Sequence, residues 1–374
     1  MTLPDHPVPL TSDHPTPPTG QEARALDSRQ RQVRVTAPRQ IALVERDLTG
    51  PPPGEVRVRI REVGVCGSDL KMWSGEHAVL TPPLTLGHEA WGTVEEHAVA
   101  TGATGSAPLT PGTPVVIVPP AGCGTCHNCA RGREQLCARM RFVGGQIDGA
   151  MARFLTVPPH HLLPIDPRVP EEQRVLIEPL AVAVHAVGRA RIGAGDQALV
   201  IGAGPIGVFC ALVLAARGVG RVVVTDRDPL RLDLARRLGV PHRARTTAAQ
   251  PLLAAGDHLR PDGADVVFDC VGSQATTAQA LAATCRGGRT VLVGISPAEL
   301  TVGGVALQRG ERELIGVQMY QREDFRHAMD LLAEGLVPAV DGLKRSRPLG
   351  RAGELLDELA RRPSPVLKET LLPD

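Results

Sequence analysis

From Arg34 the chain runs as short segments in which apolar and charged residues alternate, most clearly at Glu55-Val-Arg-Val-Arg-Ile60. Glycine and proline punctuate them, as at Thr81-Pro82-Pro83 and Pro111-Gly112. A period of two sends alternate side chains to opposite faces, so this region predicts a β-rich unit of irregular strands. Near Gly193 the pattern changes to apolar, strand-length runs separated by helical stretches. The expected strands are Ala198–Ile201, Arg221–Thr225, Asp265–Asp269, Thr290–Gly294 and Leu314–Gln318, with helices over Val208–Arg217 and Phe325–Leu332. Such alternation predicts an α/β unit, a parallel sheet wound with helices on both faces. A proline-broken stretch to Asp374 is expected to return to the first unit. Residues 1–30, with Pro4, Pro7, Pro9, Pro15, Pro17 and Pro18 among polar neighbours, predict a disordered tail. The expected division is therefore 1–30, 31–182, 183–321 and 322–374.

Composition narrows the function. Hydrophobic residues at 43% and charged residues at 22% of 374 are those of a soluble globular protein of about two domains. A net charge of +1 gives no field for gripping nucleic acid, and no apolar run reaches bilayer length. Neither partner is expected. Eight cysteines without a signal-type leader point to a reducing cytoplasm. One Tyr, two Trp and five Phe leave little for aromatic platforms, so a polar ligand must be held by hydrogen bonds and metal.

Half the cysteines, Cys123, Cys126, Cys129 and Cys137, fall in a C-x2-C-x2-C-x7-C run within a glycine-containing stretch at about 121–138. Four thiolates about 2.3 Å from a tetrahedral zinc match that spacing, and short loops let the backbone aim four sulfurs inward. Disulfides belong to small secreted domains and four-iron clusters usually show other intervals, so zinc is the favoured reading. Four sulfurs leave no open position, which makes the expected role structural.

The strand ending at Ile201 runs into Gly202-Ala-Gly204-Pro205-Ile206-Gly207. Gly202 allows a tight turn, Gly204 leaves space for a pyrophosphate, and Gly207 lets the following helix pack on the strand with its N-terminal amides toward the anion. Asp226 ends the next strand, where an acid accepts hydrogen bonds from an adenosine ribose and repels a 2′-phosphate, favouring NAD over NADP. Two competing uses exist: Asp226 as a helix cap before Pro229, and Arg227 and Arg231 as phosphate holders.

Scattered elsewhere are Cys66-Gly-Ser68-Asp69, Gly87-His88-Glu89 and Glu178-Pro-Leu. Each is ordinary alone. Together they offer a thiolate, an imidazole and carboxylates, the mixed set of a catalytic zinc with one position free. These three motifs, the four-cysteine lobe and the glycine turn occur in the order of the zinc-containing medium-chain dehydrogenases, which the chain resembles from about Arg34 onward. The resemblance implies a GroES-like catalytic domain joined to a Rossmann domain. It also implies two zincs, the catalytic one held by Cys66 and His88 with Glu89 and Glu178 as carboxylates. Glutamate at 178, where many alcohol dehydrogenases of the family have cysteine, looks like the sorbitol and other polyol dehydrogenases.

The implied reaction moves a hydride from a secondary alcohol of a polyol, sugar or aminocyclitol to NAD. Ser68 would take the hydroxyl proton. Lys71 stands where many relatives carry a relay histidine. The substrate pocket is expected to use Met72, Trp73, Phe142 and the surroundings of Tyr320, while Gln318-Met319-Tyr320 lacks the arginine that helps sorbitol dehydrogenases hold polyol. The motifs are also similar to those of 2-deoxy-scyllo-inosamine dehydrogenases and, more distantly, threonine 3-dehydrogenases. A catalytically silent, zinc-stabilised nucleotide-binding protein is the alternative of another class. A homo-oligomer, dimer or tetramer, is expected by resemblance.

Overall fold

The computed structural model describes residues 29–77, 79–97, 109–246, 256–296 and 299–373. All but the last two residues of the expected 1–30 tail lie outside this set. A hairpin of β1 (Arg29–Ala37) and β2 (Gln40–Asp47) pairs with the short β4 (Leu84–Thr85). Behind it lies a sheet in the order β10 (Leu162–Pro164), β6 (Pro114–Ile117), β5 (Glu89–His97), β3 (Val56–Gly64), β18 (Lys368–Leu372), β17 (Lys344–Pro348), with β9 (Phe154–Val157) also on β3.

The alternation at 55–60 forms β3, whose Arg59 is half-buried and Arg61 exposed. Val56, Val58 and Ile60 enter the core, and Arg57 is also buried, its guanidinium donating to Glu96 at 3.2 Å. The last residues of the chain explain how the first sheet is completed. Strand β18 pairs antiparallel with β3, matching Thr370 to Gly64 and Leu371 to Val63, so the C-terminal segment lies inside this sheet. Its polar side chains are buried because each finds a partner: Thr370 Oγ1 donates to Glu62 at 2.7 Å, and Arg345 Nη2 donates to Glu369 at 2.6 Å.

The second sheet is fully parallel. Its order is β13 (His242–Arg245), β12 (Arg221–Asp226), β11 (Gln197–Ile201), β14 (Ala264–Asp269), β15 (Thr284–Leu292), β16 (Glu313–Gly316). Strand order reverses between β11 and β14, and ligands of such sheets bind at the carboxyl ends of strands beside that switch. Strand β13 was not expected, since His242-Arg-Ala-Arg245 carries no apolar run. Strand β15 starts six residues before the expected Thr290, and its expected end, Gly294, lies past Leu292 in a bend.

Of the helices, α1 (Gly67–Ser74) belongs to the first unit, and α2 (Ile177–Ala190) runs without a break through the expected division at 182/183. Helices α3 (Pro205–Ala216), α4 (Pro229–Arg237), α5 (Gln274–Ala283), α6 (Gly304–Gly310) and α7 (Arg322–Ala333) accompany the parallel sheet. Helix α8 (Ala352–Arg361) buries Leu355 and Leu356 in the first unit's core. A single apolar cluster joins Trp91 and Val116 of the first sheet to α2, α3, α7 and the strands of the second.

Candidate active site

The backbone of α1 organises the first metal-ligating set. Cys66 is the helix N-cap, and Asp69 three residues later accepts its amide at 2.9 Å. The other Asp69 oxygen accepts from Gly87 N at 3.3 Å and lies 3.5 Å from His88 Nδ1. Asp69 is fully buried, so one carboxylate fixes the start of the helix, the turn before His88 and the ring itself. A carboxylate at one imidazole nitrogen orients the other toward a metal. That nitrogen, Nε2, is 3.3 Å from Ser68 Oγ, and the His88 ring packs 5.3 Å from that of Phe142.

Glu89 starts β5 opposite Gly64 of β3. Any Cβ on residue 64 would run into Glu89 Oε2, so the missing side chain makes room for a carboxylate. Cys66, His88 and Glu89 present ligand atoms all within 4.8 Å of one another. Glu178, in the first turn of α2, is outside that trio but faces it. Its Oε1 accepts the phenol of Tyr320 at 2.5 Å. Burial, and then the charge of Glu89, push the Glu178 carboxyl up to about 7.

Glu89 and Glu178 are 1% and 4% exposed, beside a thiol and with Lys368 as the close ammonium, ion-paired to Glu89. Buried carboxylates with too few counter-charges are costly unless a cation joins them. A thiolate, an imidazole and carboxylate oxygens suit zinc with one position left for substrate.

The four-cysteine set is assembled differently. All four sulfurs lie within 4.8 Å of one another, and none of the cysteines is in a disulfide. Cys123 N and Arg139 N each donate to Cys137 Sγ at 3.3 Å. Gly124 and Gly132 turn the chain at φ of 74° and 67°, a region that favours glycine. Hydrogen bonds from Thr125 bring the Cys123 thiol down to about 5, toward the thiolate that binds metal. The set fits a closed tetrahedral zinc. The lobe is clamped by β7 (Pro120–Ala121) and β8 (Arg141–Phe142), and Phe142 reaches His88, so the lobe touches the first site.

At the second sheet, Gly202 adopts φ 101° and its amide donates to Thr225 O at 2.8 Å. A Cβ on Gly207 would run into Gly202 O, whereas one on Gly204 would meet open space, where an anion can approach. Pro205 takes the first helical position of α3, and Ile206 packs on the core. Asp226 is not the helix cap: Asp228 is, accepting Leu230 N at 2.9 Å. Asp226 instead accepts Ala203 N at 2.7 Å, bracing the glycine turn.

Other expected residues land elsewhere. Met72 and Trp73 are in the core at 0% and 2% exposure. Asp69, Met72 and Trp73 are the buried residues of α1. Lys71 Nζ donates to Ile295 O at 2.5 Å, beyond β15 in the second sheet. Three members of the site were missed. Asp69 was readable from its capping-box spacing after Cys66. Lys368 and the Tyr320 bond to Glu178 come from 302 and 142 residues away in sequence and leave no local signal.

Comparison with known proteins agrees with this architecture. Residues 52–167 match the alcohol dehydrogenase GroES-like domain and residues 205–334 match the zinc-binding dehydrogenase domain. The chain is 33% identical over 321 residues to L-galactonate-5-dehydrogenase of Escherichia coli K12, covering 85% of this chain and 91% of that one. It is 34% identical to a sorbitol dehydrogenase of Arabidopsis thaliana, covering 72% and 75%. A zinc-binding dehydrogenase from Sinorhizobium meliloti 1021, solved with NADP, superposes with a TM-score of 0.83 at 27% identity, covering 92% of this chain and all of that one. Fold, metal-ligating sets and relatives converge: the chain is an oxidoreductase and belongs to the zinc-containing medium-chain dehydrogenases, in the polyol dehydrogenase branch.

Proposed function

We propose that the chain oxidises a secondary alcohol of a polyol, sugar or sugar acid to the ketone while reducing NAD. The observation that carries this reading is the bond from Lys71 to Ile295 O, which brings the helix of Cys66 and Ser68 up to the carboxyl end of the nucleotide sheet. In this reading the metal-ligating set and the dinucleotide turn share one cleft, which the contact of Lys71 with Ile295 supports. The names of the galactonate and sorbitol relatives support the substrate class.

In this reading Cys66, His88 and Glu89 hold zinc, with Glu178 in reserve as a second carboxylate. Bound there, zinc supplies the Lewis acidity that lets a hydroxyl lose its proton near neutral pH. Ser68, beside His88, receives that proton. NAD held at the glycine turn would supply the hydride acceptor, and the balance would be alcohol and NAD to ketone, NADH and one proton. Asp69 keeps the His88 ring turned, Tyr320 holds Glu178, and Lys71 bears on the loop after β15. Cys123, Cys126, Cys129 and Cys137 hold the structural zinc. Gly202, Gly204, Pro205, Ile206 and Gly207 receive the pyrophosphate, and Asp226 and Arg231 the adenosine ribose.

No helix among the described residues is long and apolar enough to cross a membrane. We assign the enzyme to the cytoplasm as a homo-oligomer, with the edge strand β16 as the surface for self-pairing. We divide the chain into a catalytic part, a nucleotide part and a C-terminal segment that returns to the first sheet through β18. The deciding experiment offers zinc-loaded protein and NAD a panel of polyols, aldonates and cyclitols and follows NADH absorbance. Absence of NADH across the panel, with two zincs bound per chain, would sink the reading. One zinc, confined to the four-cysteine lobe, would support the silent binding module instead.

A further inference from the structure

Helix α2 carries a second polar side chain toward the turn that holds Glu178. His185 follows Glu178 by seven residues, so both side chains leave the same face of α2, about 10 Å apart along its axis. Both reach one short stretch of chain. Tyr320 donates its phenol to Glu178 Oε1 at 2.5 Å, and four residues later Asp324 Oδ2 lies 2.8 Å from His185 Nδ1. An ionised carboxylate only accepts, so the proton of that bond sits on Nδ1.

Asp324 sets the turn between the two contacts. The same Oδ2 accepts the Gln321 amide at 2.6 Å, completing a capping box at the start of α7. Just before, Met319 holds φ 47°, a left-handed conformation that a residue with a side chain keeps only where its surroundings impose it. Tyr320 is buried and packs edge-on against Phe325, ring centroids 4.7 Å apart. Arg322 adds another tether, donating to the carbonyls of His160 and Leu162 in the first unit. Of these tethers, the His185 bond is the one made to the helix that also bears Glu178. It therefore sets the distance over which the phenol must reach. The two side chains are 9% and 15% exposed, so little water can replace either partner once the other is removed.

We propose that His185 and Asp324 are positioning residues that register the start of α7 on α2, and so hold Tyr320 on Glu178 in a single orientation. The second carboxylate of the site is thus aimed by a pair two helical turns away. The proposal rests on the reading of Glu178 as the reserve carboxylate for zinc, and one arm of its test needs no turnover.

Tyr320 is the only tyrosine of the chain. Full-length, zinc-loaded protein labelled with carbon-13 at tyrosine Cζ therefore gives one resonance, which reports the hydrogen bond of that hydroxyl. Glu178→Gln, with a neutral amide in place of the charged acceptor, marks the shift of a weakened bond. His185→Leu should move the resonance toward that mark and lower kcat about tenfold or more, with KM for NAD within about twofold. His185→Asn, whose amide nitrogen takes the place of Nδ1, should keep the wild-type resonance and hold kcat within about threefold. Tyr320→Phe should lose about as much kcat as His185→Leu, and the double variant at most about twofold more, because changes that act through one bond do not add. If His185→Leu does not fold, His185→Gln, whose donor lies one carbon farther out, takes its place in every comparison.

A resonance unmoved by His185→Leu, losses that multiply in the double variant, or an asparagine variant as impaired as the leucine one overturns the proposal. A wild-type resonance indifferent to Glu178→Gln overturns it too, by showing that Tyr320 is not on Glu178 in the zinc-loaded protein. If the resonance behaves as expected yet the wild type oxidises no alcohol, the positioning pair stands and the proposed reaction falls.

Discussion

The four-cysteine lobe and the Cys66 site are two metal-ligating sets built by opposite routes. The lobe draws all four ligands from fifteen consecutive residues, aims them with Gly124 and Gly132, and holds sulfur with backbone amides. The Cys66 site draws ligands and their supports from α1, β5, α2, the Tyr320 turn and β18, and these meet only when both sheets are complete. A local set can close around its metal early and add stability. A dispersed set leaves one coordination position open and supplies charge balance from distant parts of the chain. The difference predicts that the lobe's metal contributes to folding and the other metal to chemistry.

The sharpest way to break the comparison is to remove one ligand from each set. Cys66→Ala should lower turnover by a thousandfold or more, keep one zinc per chain by elemental analysis, and leave the melting temperature within a few degrees. Cys126→Ala should forfeit part of a binding free energy that runs to ~10 kcal/mol or more for structural zinc, and melt many degrees lower. If both variants lose stability and turnover in the same proportion, the division of labour is wrong. Next in size is Asp69→Asn. It retains the shape but weakens the acceptor that faces His88 and the Cys66 amide, and loss of such a partner typically costs about 10–100-fold in metal affinity. Competition with a chromophoric chelator should show that loss at the Cys66 site with the lobe's zinc retained.

The lobe and the glycine turn were legible because their chemistry needs closely spaced residues and fixed backbone turns. The parallel sheet was legible because its strands are apolar runs between helices. The burial of Arg57 in β3 was not legible, since the neighbours that cover it are supplied only by the tertiary fold. Met72 and Trp73 were assigned to the pocket from elements that flank the cleft in relatives, whereas the fold packs both into the core of the first unit. Strand β13, Lys368 and the bond between Tyr320 and Glu178 are set by pairing across the fold, and no window of sequence contains both partners.

Charge balance offers a milder test. In the metal-free protein Glu178 titrates near 7, well above an unfolded glutamate, because burial and then Glu89 disfavour its anion. A carboxyl raised on folding favours the native state below its unfolded value, and that contribution is lost as pH rises through about 7. His88 acts in the same direction. Burial alone would lower it, but Asp69 overcomes burial and holds the ring well above 6.5. Chelated protein should therefore melt at progressively lower temperature between pH 5 and 8, and zinc should flatten that slope. Tyr320→Phe removes a donor that stabilises the Glu178 anion, and should move the midpoint of the decline upward. A metal-free protein as stable at pH 8 as at pH 5 would show that the dispersed site stores no such charge imbalance.

The smallest effect bears on what joins the Cys66 site to the nucleotide sheet. Lys71 stands where a relay group is expected by resemblance, yet its ammonium is spent on the Ile295 carbonyl across the cleft. The two roles separate with a pair of substitutions. Arginine retains a cationic donor for that carbonyl but does not give up a proton in a protein, whereas methionine keeps only the apolar stem. If Lys71 positions the loop after β15, Lys71→Arg should keep kcat within about threefold, and Lys71→Met should raise KM for NAD several-fold with a smaller change in kcat. If Lys71 relays protons, both variants should lose kcat alike, and small amines added to Lys71→Met should restore it. The split between kcat and KM thus decides whether the bridge between the two halves of the cleft carries protons or only holds them in place.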